Sequence, residues 1–280
     1  MAIDAVLTCC RDEEDIIATF VLFYLDLGFD AVFVIDNGSV DETVDIVKSM
    51  IDAGLPVSLR RDDRLGYERH LTEWFCNAGR QLDARWLFFL DCDEFILLPQ
   101  PAREWLDTLP PNINLLTFRQ REMYQVPEAS HFLLSRRCER HFNDTTKVVV
   151  RYHPDARVYG GKHLIDIPAA QVFCPTDAFI RHYKYRSMDQ ARHKEQNRLA
   201  AKQVYSDSDL ARISVNGVGP AREWIEYCRR AAEEERWRDS FNPIEFIEDH
   251  EMADWAKSFL QRADEKMFLT QQRKGAKKIL

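Results

Sequence analysis

The chain has 280 residues, 45% apolar and 30% charged, with a formal net charge of −8. That length buries a substantial core and suits one elaborated domain better than two independent ones. The acidic balance argues against a nucleic-acid binder, and no apolar run approaches the roughly 20 residues a bilayer span needs.

Residues 3–10 (Ile-Asp-Ala-Val-Leu-Thr-Cys-Cys) read as a first strand. After Arg11-Asp-Glu-Glu-Asp, the residues Ile16, Ile17, Phe20, Val21, Tyr24 and Leu27 recur at helical spacing, and Gly28 closes the segment. Residues 31–35 form a second apolar run that ends in the turn sequence Asp36-Asn-Gly-Ser. Asp41 is placed to cap a helix whose Val44, Val47 and Ile51 share a face, and residues 56–60 suit a third strand. Asn77-Ala-Gly79 precedes the fourth, with Gly79 placed to end a helix. Alternating strands and helices imply a mostly parallel sheet covered on both faces. Ligands bind such sheets beyond the carboxyl ends of the strands.

Residues 86–98 (Trp-Leu-Phe-Phe-Leu-Asp-Cys-Asp-Glu-Phe-Ile-Leu-Leu) carry the strongest chemical signal. An apolar strand runs into three carboxylates. Stability does not favour such clustering, because like charges repel and resist desolvation. Asp91 and Asp93 are two apart and point the same way in extended chain. Two such carboxylates at a strand tip suit a hard divalent cation. The plainer alternative is an acidic turn with Asp93 or Glu94 as a helix cap.

Further on, residues 113–119 and 146–152 read as strands, and residues 178–185 contain Ile-Arg-His182-Tyr. From about Ser187 the pattern turns helical and charged, divided by Pro220 and Pro243. The basic tail Arg273–Lys278 reads as a solvated end, or as a weak contact with an anionic surface worth about 1 kcal/mol per residue. Seven cysteines form no CxxC pair, and the amino terminus carries acids instead of a basic n-region. Reduced thiols and a cytoplasmic location, with at most peripheral contact at the inner face of the membrane, are the expectation.

Three segments together resemble the glycosyltransferase family 2-like proteins of bacteria, of the GT-A fold and related to the family-92 type. They are Leu7-Thr-Cys-Cys-Arg-Asp-Glu-Glu-Asp-Ile-Ile, then Val34-Ile-Asp-Asn-Gly-Ser-Val-Asp-Glu-Thr43, then Leu90-Asp-Cys-Asp-Glu-Phe95 as the D-x-D motif. The match thins after Pro99. Leu115-Leu-Thr-Phe-Arg-Gln-Arg-Glu-Met-Tyr-Gln departs from the aromatic and glycine-containing acceptor motif expected there.

The resemblance implies a GT-A domain over 1–186, with a nucleotide-binding half (1–99) and an acceptor half (100–186), and a helical elaboration over 187–280. It implies a metal-dependent transfer from a nucleoside diphosphate sugar, a UDP-sugar favoured, to a hydroxyl of a glycan or other acceptor, with inversion. Mn2+ or Mg2+ would be held by Asp93, with Asp91 and a distant histidine, His182, completing the set. Thr8, Arg11, Asp36, Asn77 and Asp91 would bind the nucleotide. His163, after a Gly-Gly turn, competes with His182. Of the basic residues Arg64, Arg69, Lys162, Arg181, Lys184 and Arg186, most should be solvated or paired; Arg11 is the one favoured for the diphosphate. Glu122, Asp144 and Asp166 are candidate bases and none stands out; Glu122 is grouped with Asp91 and Asp93 as the catalytic set. A nucleotidyltransferase and a catalytically silent glycan-binding or scaffold protein are the alternatives. Residues 8–15 lack the glycine that the first would need, and both D-x-D acids are present, against the second. No GxGxxG follows the first strand, which argues against a dinucleotide enzyme.

Overall fold

The apolar runs near residues 3–10, 31–36 and 84–90 become largely buried strands with a core on each face. The structure is a computed structural model that describes residues 2–64, 66–124, 131–142, 146–186 and 246–277. Its first elements are β1 (Ile3–Cys10), α1 (Ile17–Asp26), β2 (Ala31–Asp36), α2 (Thr43–Asp52), β3 (Val57–Arg61), α3 (Leu71–Leu82) and β4 (Ala84–Leu90). β1 lies between β2 and β4, β3 flanks β2, and all four run parallel. Cys10 is level with Asp36, Asp36 with Arg61, and Thr8 with Leu90, so the strands end together.

The burial follows from strand alternation. Val6, Val34, Phe88 and Leu90 join Phe20 and Val21 of α1 and Val47 of α2 in one core. Leu7, Phe33, Ile35 and Phe89 join Trp74, Phe75 and Ala78 of α3 in a second core across the sheet. Glu42 stands at the cap of α2, and the Asp41 carboxylate accepts a 3.0 Å bond from the Thr43 amide. Gly28 follows α1 with a φ of +93°, as its reading as a helix end requires.

Gly79 is different. It sits inside α3, which instead ends at Asp83 in the left-handed region. A Cβ at Gly79 would stand 2.1 Å from the Tyr152 ring, so close packing, not capping, calls for glycine there.

The second half comprises β5 (Glu94–Ile96), α4 (Ala102–Asp107), β6 (Leu115–Tyr124), β7 (Arg137–Glu139), β8 (Thr146–Arg151), β9 (Arg157–Tyr159), β10 (Leu164–Asp166), β11 (Val172–Phe173), β12 (Ile180–Tyr185), β13 (Phe246–Glu248) and α5 (His250–Lys277). β8 is antiparallel to both β4 and β6, so β6 runs in the direction of β4 and brings its carboxyl end to the same side. β12 lies parallel to β6 and antiparallel to β5. The sheet path is β13-β7-β6-β8-β4-β1-β2-β3.

β13 extends this sheet through β7, and Trp255 and Phe259 of α5 pack on Phe23 of α1. Residues 187–245, including Pro220 and Pro243, lie outside the described residues. Among the described residues no helix is long and apolar enough to cross a membrane.

Candidate active site

Asp36 ends β2 fully buried and accepts from the Ser39 amide at 3.2 Å, with Arg61 Nε 3.7 Å away. The Asp12 amide donates to Ser39 Oγ at 2.9 Å and the Val40 amide to Asp12 Oδ1 at 2.8 Å, which ties the β1 and β2 loops together. Arg11, just after β1, has a buried Nε with no hydrogen-bond partner among the described residues; Asp12 Oδ2 is 3.8 Å away. A buried guanidinium nitrogen left this way is costly unless a ligand serves it. Thr8 is buried, with Oγ1 3.2 Å from Sγ of Cys92, the middle residue of the D-x-D segment.

Asp91 is the exposed member of the pair, its side chain 35% accessible. One oxygen accepts from Lys147 Nζ at 2.8 Å and the other from Lys162 Nζ. Lys147, 0% exposed, also reaches Glu94 at 2.9 Å, and Glu94 accepts from Gln120 Nε2 at 2.7 Å. Burial would raise the Asp91 pKa, but the two ammonium groups hold it well below the usual carboxylate range. Tyr24 of α1 fixes the backbone here, donating to the Glu94 carbonyl at 2.8 Å and accepting from the Ile96 amide at 3.2 Å.

Asp93 has different partners. His182 Nε2 is 3.4 Å from Asp93 Oδ1, and His182 Nδ1 is 3.0 Å from Glu122 Oε1. The pairing of β12 with β6 puts His182 opposite Glu122, and its pairing with β5 puts His182 opposite Glu94. Burial alone would depress this imidazole, but the Glu122 and Asp93 carboxylates push it up to about 10. Arg186 stands 4.0 Å from Asp93 and is clamped by Glu13 at 2.6 Å and Asp15 at 2.8 Å. The acidic run after β1 thus anchors the end of the histidine strand.

The residues present fit a divalent cation in part. Two donors about 2.1 Å from one ion, at right angles, stand roughly 3 Å apart, close to the Asp93–His182 separation. A ligating imidazole with its second nitrogen on a carboxylate is the usual arrangement, and Glu122 supplies it. Asp91 does not point at the same spot. Among the described residues no three His, Cys, Asp or Glu side chains form a metal-holding group.

Other sequence candidates lie elsewhere. The Asn77 side chain accepts from Arg80 within α3 at 2.8 Å. His163 Nδ1 is 3.0 Å from the Thr146 carbonyl, and its pKa is lowered by burial. Arg181 is buried in ion pairs with Asp249 and Glu251, and Arg64 binds Asp62 and Glu73. Arg69 is exposed, and Lys184 is half-buried. Asp166, exposed in β10, bonds Tyr159. Asp144 lies outside the described residues.

The sequence reading missed Lys147 altogether. Its signal was a charge immediately before the buried run Val148-Val-Val150 of β8.

The chain matches the Glycosyl transferase family 2 profile over residues 5–155, more than half its length. A glycosyltransferase family 92 protein of Ricinus communis is 25% identical over 103 residues, 34% of this chain. That match spans 17% of the relative, about a sixth of its length. Among solved structures, S. aureus TarS 1–349 in complex with UDP is 19% identical, with 46% of this chain and 38% of that one covered and a TM-score of 0.36. The mannosyltransferase PcManGT from Pyrobaculum calidifontis, in complex with GDP-Man and Mn2+, is 14% identical, with 95% and 89% covered and a TM-score of 0.40. The matched residues 5–155 run from β1 through the D-x-D segment and Lys147 to the turn before β9, so the chain belongs to glycosyl transferase family 2.

Proposed function

We propose that this glycosyltransferase moves a sugar from a nucleoside diphosphate sugar to an acceptor hydroxyl with the help of a divalent cation. The observation that carries the reading is the line Asp93–His182–Glu122, beside Asp91, at the carboxyl end of β4. Asp93 and His182 would hold the cation, and Glu122 orients the imidazole. When bound, such an ion neutralises charge on a leaving diphosphate.

The protein's own groups do the rest. Asp36, at the end of β2, would accept hydrogen bonds from base or ribose. Arg11 offers its unserved Nε to an anion. Asp91, held in position by two ammonium groups, would present its carboxylate toward the ribose. The acceptor hydroxyl attacks C1 from the face opposite the diphosphate, giving inversion, and loses its proton to a base. Of the three candidate bases, Glu122 is the one placed within this group among the described residues. One of its oxygens engages His182.

Thermal shift against a panel of nucleoside diphosphate sugars, with and without Mn2+, tests the reading through linkage. Stabilisation by one donor, enhanced by the metal and lost in Asp93→Asn, is the expected result. A panel that leaves the melting temperature unmoved in both conditions would sink it.

A further inference from the structure

The turn Gly160-Gly161-Lys162 holds three successive residues in the left-handed region, with φ of +59°, +64° and +71°. The glycines adopt that conformation freely. Lys162 does not: a side-chain-bearing residue is strained there. The turn is anchored on one side by the Gly161 amide, which donates to Glu68 at 3.1 Å, and on the other by His163 against Thr146. Its product is an ammonium group only 2% exposed, on Asp91 and 5.1 Å from the centroid of the Phe89 ring.

Neutralising Asp91 does not by itself account for this. Lys147 already contributes to that from inside the sheet, where it is fixed between Asp91 and Glu94. Lys162 comes from a turn outside the sheet and meets the same carboxylate, the exposed one of the D-x-D pair. An ammonium on a four-carbon stem is a rotatable point charge, and a phosphate arriving at Asp91 reaches it by a short swing of that stem.

We propose that Lys162 is a donor-binding residue, passing its ammonium from Asp91 to the distal phosphate of the nucleoside diphosphate sugar. This rests on the donor reading above. As the acceptor oxygen bonds to C1 and the C1–O bond breaks, the electron pair stays on the phosphate oxygen. Lys162 balances that charge and keeps its own proton. Asp91, released on one side, remains held by Lys147 and turns that oxygen to the donor's ribose.

Calorimetric titration with UDP and UMP, and with GDP and GMP, in Mn2+ tests the assignment. Lys162→Met should lose roughly 10- to 100-fold in affinity for the diphosphates with little change for the monophosphates. Lys162→Arg should keep most of the difference. Lys162→Gln, which still donates to Asp91, carries the same expectation as Lys162→Met and guards against a loss of fold, which circular dichroism reads. A lysine that only supports Asp91 would weaken diphosphate and monophosphate alike, so an unchanged ratio between them overturns the proposal while the donor reading stands. Wild-type protein that binds neither UDP nor GDP overturns both.

Discussion

Two single-residue questions follow from the contacts of Glu122 and Asp62. If Glu122 is the base, Glu122→Gln should collapse turnover at an unchanged metal requirement. If it orients His182, the variant should raise the Mn2+ concentration for half-maximal activity about 10- to 100-fold, the range for removing such a partner. The 3.0 Å contact with the ring favours the second. His182→Ala should then shift the Mn2+ titration at least as far, and His163→Ala should not. Matching wild-type titrations for His182→Ala would remove the imidazole from the metal shell.

Asp62 closes β3 and accepts from Arg64 at 2.7 and 2.6 Å and from the Trp74 indole at 2.7 Å. The Arg64 bonds hold its pKa well below the carboxylate range, against the opposing effect of burial. A depressed folded pKa contributes stability above the unfolded value, near pH 4. That contribution is lost as pH falls through the window below it. Urea unfolding of wild type and Asp62→Asn should differ most near neutrality and draw together as pH falls below about 4; a gap that does not narrow between neutrality and about pH 2 would contradict this.

Within elements, Gly79 in α3 sets two effects against each other. Alanine is the better helix former by about 1 kcal/mol. Its Cβ, however, would overlap the Tyr152 ring, which is tied by its hydroxyl to the Cys76 carbonyl at 3.0 Å. Overpacking of this kind costs about 1–3 kcal/mol, so Gly79→Ala should lower stability despite its propensity. In a Tyr152→Ala background the same change should become neutral or stabilising. A stabilising Gly79→Ala in the wild-type background would show that the ring moves aside at little cost.

At the scale of the whole molecule, the carboxy-terminal segment is locked to the strand that carries His182. Arg181, 1% exposed, donates to Asp249 at 2.6 Å and to Glu251 at 2.6 Å. Asp249 also receives the Glu251 amide at 3.1 Å at the start of α5. Breaking a buried ion pair by removing one partner costs about 3–5 kcal/mol, and losing a helix cap about 0.5–2 kcal/mol. Asp249→Ala loses both, while Asp249→Asn keeps an acceptor for the cap. Melting temperatures should fall in both variants, further in Ala. Equal melting of Asp249→Ala and wild type would mean that α5 docks without help from this ion pair.

The parallel half of the sheet was legible from sequence because its determinants are local. A strand covered on both faces reads as a short apolar run, and a helix between strands repeats its apolar residues at 3.6. That placed Asp36 and the D-x-D acids at strand ends before any contact was known. Local pattern carries no record of partners distant in the chain. Lys147 meets Asp91 across 56 residues, His182 meets Glu122 across 60, and Arg186 meets Glu13 across 173. Those pairings are set by strand register: β12 beside β6 brings the imidazole to its carboxylate, and β8 between β4 and β6 brings the buried ammonium to the D-x-D segment. The sequence by itself thus determined which residue types stand at the site's edge. Tertiary structure decided that Asp91 answers to lysines and Asp93 to a histidine, because only folding sets which opposite charge lies within hydrogen-bond reach of each.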